Sequence, residues 1–285
     1  MHHNLAPTTH IAQAGAPRPS ALLARLARAA RLSGPCLLLL LAACGTYQPG
    51  GLEIDRSIQA KSQNSRVEFI VLHYTSSDNA KSLKVLSQLN VSSHYLLTND
   101  STPRLYQLVD ENRRAWHAGV SEWQGRTDMN SGSIGVEIVN QGRSGNDWEP
   151  YTPAQIAMLT TLLQDIIQRH QIKSLNIVGH SDIAPQRKID PGPLFPWKQL
   201  AQQGIGRWYD EAKAQEYEQD FLLKGLPNMI WTQKELQRAG YKIPQNGLLD
   251  KASKNVIAAF QMHYRPALHD GIPDAQTLAI LKALP

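Results

Sequence analysis

Residues 174–192 read SLNIVGHSDIAPQRKIDPG. The run SLNIVG is short and apolar, as expected of a buried strand, and it delivers His180 where strand gives way to loop. A side chain at that position is held on rigid backbone at a sheet's edge. The same loop carries Lys188 and Asp190, and Pro191-Gly192 closes it with a turn signal. An imidazole and a carboxylate on one loop are two metal-binding groups. One further imidazole would complete three protein ligands and leave zinc's fourth position open for water, the arrangement of a catalytic zinc rather than a structural one.

Toward the N-terminus, VEFIVLHYT (67–75) is apolar on both parities, with Val67, Phe69 and Val71 on one and Ile70 and Leu72 on the other. That is the pattern of a strand buried on both faces. Ala80, Leu83 and Leu86 recur at helical spacing, and SSHYLLT and RLYQLV flank the polar loop NDSTP as a hairpin would. SIGVEIVN (133–140) predicts another strand, with Glu137 near its end. Thr152-Pro153-Ala154-Gln155 supplies an N-cap, a proline at the first helical position and a capping-box glutamine. The helix behind it lines up Ile156, Leu159, Leu163, Ile166 and Ile167 on one face. Residues 66–202 are therefore expected to form an α/β domain, a mixed central sheet flanked by helices.

Beyond it the composition shifts. Residues 203–224, which include RWYDEAKAQEYEQDF, predict a helical or irregular connector. WTQKELQRAGY, NGLLDKASKNVIAAFQMHYR and DGIPDAQTLAILKAL then predict three short amphipathic helices, a small three-helix domain over residues 225–285.

Residues 1–43 belong to neither domain. They hold four arginines, no acidic residue and an apolar block running into LLLLLAAC, the make-up of a secretory signal. The apolar core is too short for a permanent membrane-spanning helix. Leu41-Ala42-Ala43-Cys44 resembles the bacterial lipoprotein box, in which Cys44 is lipidated and becomes the mature N-terminus. Gly45 behind it favours, by that resemblance, the outer membrane, so the expected location is lipid-anchored there and facing the periplasm. Residues 44–65 are rich in Gly, Gln and Ser and read as a tether. Removing four arginines from 29 Lys+Arg leaves 25 against 24 Asp+Glu, so the formal charge of +5 mostly reports the signal and nucleic acid is a poor partner. The two cysteines, Cys36 and Cys44, are both spent in this region, and a metal site must be built from His and carboxylate.

His73 ends the run VEFIVL and is the natural third ligand, because strand ends on one side of an open sheet are where α/β sites form. Sequence order alone does not bring it beside His180. Glu137 is an ionisable group inside an apolar strand, so it faces either a cleft, as a general base, or an arginine such as Arg113 or Arg114. Lys188 reads as an oxyanion stabiliser or as a solvated loop lysine.

VLHYT with His73, SSHYLL with His94, WHAG with His117, SIGVEIVN with Glu137 and GHSDIAPQRKIDPG together resemble the zinc-dependent N-acetylmuramoyl-L-alanine amidases of the type 2 family, which includes peptidoglycan recognition proteins. Within it the chain is most similar to the outer-membrane lipoprotein amidases. The resemblance implies that His73, His180 and Asp190 bind Zn2+, that Glu137 is the base and that Lys188 stabilises the oxyanion. It implies cleavage between N-acetylmuramic acid and L-alanine of the stem peptide. Tyr74, Trp116 and His117 are candidates for lining the substrate groove, Trp116 being equally readable as core, while His94 is expected to be structural. Gly247, Asp250, Ser253 and Phe260-Gln261 approximate the pattern of the three-helix peptidoglycan-binding domain, with Ser253 in place of the usual threonine. Such a domain would raise the local concentration of wall substrate. The expected partners are peptidoglycan or muropeptides, and the membrane through the lipid. Two alternatives remain: a non-catalytic wall-binding lipoprotein with a vestigial site, and a zinc endopeptidase cutting within the stem peptide.

Overall fold

Strand β1 (Phe69–Tyr74) lies inside a five-stranded sheet, which is why both of its parities are apolar. After it come α1 (Asn79–Gln88), β2 (Tyr95–Leu97), β3 (Leu105–Gln107), α2 (Met129–Gly132) and β4 (Ser133–Ile138). A small hairpin of β5 (Arg143–Ser144) and β6 (Asp147–Trp148) precedes α3 (Pro153–His170), β7 (Ile177–Gly179), α4 (His180–Ile183) and α5 (Trp197–Ala201). The sheet order is β3-β2-β4-β1-β7, parallel except for β3, which pairs antiparallel with β2 at one edge. The mixed α/β fold is the one expected from the sequence. The computed structural model describes residues 54–285; the signal segment, Cys44 and the start of the tether lie outside the described residues.

One sheet face packs Ile70, Leu72, Ile134, Val136 and Ile138 against Ile156, Leu159, Leu163 and Ile166 of α3. That helix starts at the capping box read from the sequence. The Thr152 hydroxyl accepts from Gln155 N, and the Gln155 side chain accepts from Thr152 N. A cap of this kind contributes about 1 kcal/mol.

The chain after α5 is helical rather than irregular. The connector forms α6 (Glu211–Lys224), followed by α7 (Met229–Ala239), α8 (Lys251–Tyr264) and α9 (Ala275–Ala283). Each of the last three begins at an Asn or Asp whose side chain accepts a backbone N–H three residues on: Asn228 from Trp231, Asp250 from Ser253, Asp274 from Thr277. Two buried glutamines tie the intervening turns to their helices. Gln233 accepts from Gly247 N and donates to Ser253 Oγ, and Gln261 accepts from Gly271 N and donates to Thr277 Oγ1. NGLLDKAS and DGIPDAQT are thus two uses of one turn. Gly271 cannot be replaced cheaply: its φ is +79° and a Cβ would sit 2.5 Å from Lys254 O.

The other sheet face carries Phe69 and Val71. They join Trp123, Met129 and Val178 in one continuous cluster with Tyr241, Val256, Ile257, Phe260 and Tyr264. The two sequence-expected domains share this core, and residues 62–285 form one compact unit.

Candidate metal centre and cleft

Three parallel strands end side by side, and their register decides what faces the cleft. His73 pairs with Glu137 of β4, and Leu72 with Gly179 of β7. His73, Glu137 and His180 are therefore neighbours at the C-terminal strand ends. The loop after α4 then folds back, with Ser181 N donating to Asp190 O at 2.8 Å. Nδ1 of His73 and Nδ1 of His180 lie 2.9 Å apart, and Asp190 Oδ2 is 3.2 Å from the first and 3.1 Å from the second. All three side chains are buried, and among the described residues this is where His and carboxylate ligand atoms converge.

The bonds behind the rings say which nitrogens are free. Ser133 Oγ donates to Met129 O at 2.5 Å, so its oxygen accepts from His117 Nε2 at 3.2 Å. His117 Nδ1 is then the acceptor for His73 Nε2–H at 3.0 Å, which leaves a lone pair on His73 Nδ1. His180 Nε2 lies between Ala118 O at 3.1 Å, which can only accept, and Arg187 Nη2 at 3.2 Å, which can only donate; in the tautomer whose Nε2–H donates to Ala118 O, Nδ1 is left bare in the same way. Two lone pairs and a carboxylate oxygen aimed at one another repel unless a cation lies among them. Imidazole nitrogens with one carboxylate suit a borderline divalent metal, so the residues fit the ion. Burial, and then the nearby His180, push His73 down to about 4 and keep it neutral, the form that ligates.

A cavity of 540 Å³ opens on this cluster, lined among others by Tyr74, Trp116, Glu137, Lys188 and Asp190. Glu137 Oε2 is buried there with no hydrogen-bond partner. Burial raises its carboxyl to about 8, with the Asp190 charge adding and Lys188 opposing. Neither arginine considered from the sequence reaches it. Arg113 offers its carbonyl to His94, while Arg114 donates to Ser131 and stacks over Trp116 at 4.1 Å. Lys188 lines the cavity and forms none of the ion pairs found among the described residues.

Trp116 is 53% exposed, so it belongs to the rim and not the core. Tyr74 forms a wall, its ring edge-on to Trp148 at 6.5 Å. His117 also borders the cavity, but both ring nitrogens are engaged, by His73 and by Ser133, which makes it a support for the His73 ring. That task was missed from the sequence. Its only signal there is Gly135 inside an otherwise apolar strand, a mark of close approach. His94 is structural as expected: its Nδ1 accepts from Gly135 N and its Nε2 donates to Arg113 O.

Residues 63–193 match the N-acetylmuramoyl-L-alanine amidase family, and residues 226–281 match a peptidoglycan binding domain. The N-acetylmuramoyl-L-alanine amidase AmiD of Escherichia coli K12 is 43% identical over 259 residues, which cover 86% of this chain and 94% of AmiD. The structure of E. coli AmiD with the substrate anhydro-N-acetylmuramic acid-L-Ala-D-gamma-Glu-L-Lys superposes with a TM-score of 0.73 at 43% identity, covering 82% of this chain and 94% of that one. AmpDH3 of Pseudomonas aeruginosa in complex with anhydromuramic pentapeptide gives 0.77 at 40% identity, covering 82% and 97%.

Proposed function

The chain belongs to the N-acetylmuramoyl-L-alanine amidase family, and on that premise we propose that it hydrolyses the amide between the lactyl group of N-acetylmuramic acid and L-alanine, with anhydromuramic peptides among its substrates. The observation that carries the reading is the convergence of His73 Nδ1, His180 Nδ1 and Asp190 Oδ2 beside the unpartnered Glu137 oxygen.

His73, His180 and Asp190 would hold Zn2+, with His117 keeping the His73 ring in its ligating tautomer. When bound, zinc supplies Lewis acidity, polarising a carbonyl and easing the loss of a proton from water. Glu137 takes that proton as water adds to the carbonyl carbon. It returns the proton to the alanine nitrogen as the C–N bond breaks. Lys188, free of carboxylate partners, offers its ammonium to the charge that builds on the carbonyl oxygen. Tyr74 and Trp116 form the walls against which sugar and peptide would lie.

In this reading residues 66–202 are catalytic, 203–224 connect, and 225–285 bind the wall, as the match to a peptidoglycan binding domain supports. Residues 1–43 are a lipoprotein signal, and Cys44 carries the lipid that anchors the chain to the outer membrane, facing the periplasm. Among the described residues no helix is long and apolar enough to cross a membrane. Fatty-acid labelling should mark the wild type and not Cys44→Ser; equal labelling refutes the anchor.

The test of the chemistry is product analysis on defined muropeptides. Glu137→Gln should retain zinc and lose about 10²–10⁴-fold in kcat. Chelation should stop the wild type, and added zinc should restore it. The released peptide should carry a free L-alanine amine and the sugar a free lactyl carboxylate; fragments cut inside the stem peptide would point to an endopeptidase instead. Undiminished release after chelation would sink the zinc reading.

A further inference from the structure

Asp182 lies two residues past His180, in the single turn of α4, and is 1% exposed. Both of its oxygens are occupied. Oδ1 accepts from Tyr241 Oη at 2.7 Å, and Oδ2 accepts from Gly179 N at 2.7 Å and from His263 Nδ1 at 2.8 Å. Tyr241 directly follows the glycine that caps α7, and His263 lies in the last turn of α8. The carboxylate two residues from His180 is therefore held by two side chains of the C-terminal region, one just past α7 and one in α8.

Those two side chains are themselves fixed. His263 is stacked between Trp197 at 3.9 Å and Tyr264 at 4.1 Å. Tyr241 meets the edge of Trp123 at 4.9 Å, and Gln124 N donates to Gly240 O beside it at 2.9 Å. Gly179, which Asp182 also holds, has no room for a side chain: a Cβ would lie 2.6 Å from Pro191, the residue after Asp190. The Asp182 contacts thus bear on the residue before His180 and, through its close packing, on the residue after Asp190.

A helix of one turn does not hold its own direction, because the first turn costs more order than its hydrogen bonds return. The orientation of α4, and with it of His180, must come from tertiary contacts. A domain that served only as a wall tether would need no buried hydroxyl and imidazole reaching into the catalytic loop, since burying polar groups is unfavourable unless they are paired to some purpose.

We propose that Asp182 is a positioning residue for the metal site, clamped by Tyr241 and His263, so that the C-terminal helices complete the catalytic centre as well as binding the wall. The inference rests on the metal reading above. It is tested on the full chain with Tyr241→Phe, which removes one hydroxyl and keeps the ring, with Asp182→Asn, and with His263→Gln beside His263→Leu. Zinc affinity is measured by competition with a chromogenic chelator, together with sacculus binding, thermal stability, kcat and KM. Tyr241→Phe and Asp182→Asn should weaken zinc binding about 10-fold and lower kcat at unchanged KM, with sacculus binding intact. His263→Gln, which keeps an N–H donor, should bind zinc better than His263→Leu. Variants that melt earlier yet hold zinc as the wild type does would reduce the clamp to structural glue and overturn the proposal. A wild type that takes up no zinc would overturn the metal reading and this inference together.

Discussion

The ring of His117 lies where a β-carbon on Gly135 would be, 2.4 Å from the His117 Cγ position, closer than non-bonded carbons approach. An absent side chain on β4 is thus what allows His117 to stand behind His73. Gly135→Ala should push the ring away and break its bond to His73 Nε2 or to Ser133. The expected loss is about 1–3 kcal/mol of stability, as for other overpacked cores, with weaker zinc binding and lower kcat. Urea denaturation and chelator competition measure the two effects; zinc affinity equal to wild type would remove His117 from the metal's support. His180, Lys188 and Asp190 could be singled out as candidates because one loop carries them, and they line one cavity. His73 and Glu137 needed the register between two strands. The role of His117 needed the hydrogen-bond chain from Met129 O to be followed through three side chains, which no residue spacing records.

Helix α3 was legible from its capping box to its apolar stripe, yet its far end depends on a residue from a distant loop. Glu111 accepts from Tyr95 Oη at 2.6 Å and from Arg169 and His170, the last two residues of α3. Burial would raise its carboxyl, but the hydrogen bonds of Arg169, Tyr95 and His170 outweigh it and bring it down to about 2. A carboxyl depressed in the folded state stabilises fully above its ordinary value of 4.5, and that stabilisation is lost as pH falls through about 2. Glu111→Gln should therefore cost about 1–2 kcal/mol at neutral pH, the half-exposed Arg169 limiting the gain. The gap between variant and wild type should narrow as urea melts are repeated from pH 5 toward about 2; a gap independent of pH would refute the assignment. The β5–β6 hairpin escaped the sequence reading because two-residue strands carry no alternation to detect. The connector's helix was ambiguous for a related reason: part of its packing is against α9, where Lys282 lies 4.0 Å over the ring of Tyr217.

At the scale of the molecule, helical periodicity in the last 60 or so residues suggests a domain able to fold by itself. The pattern does not show that Tyr241, Phe260 and Tyr264 share a core with Phe69, Val71 and Trp123. Such pairings join residues far apart in the chain, so spacing within any one segment is silent about them. The consequence can be measured. Phe260 is fully buried, with Tyr264 at 4.9 Å and Tyr241 at 6.1 Å between ring centres. Phe260→Ala should cost about 3–5 kcal/mol, the usual penalty for a large cavity. In a tethered pair of domains that loss would stay in the smaller one and split the denaturation curve into two steps. With a shared core, helical circular dichroism, tryptophan fluorescence and zinc release should move together to a lower denaturant midpoint in a single transition. Zinc release unmoved by Phe260→Ala, with helix content lost early, would show that the two parts fold separately and that the common core contributes little coupling.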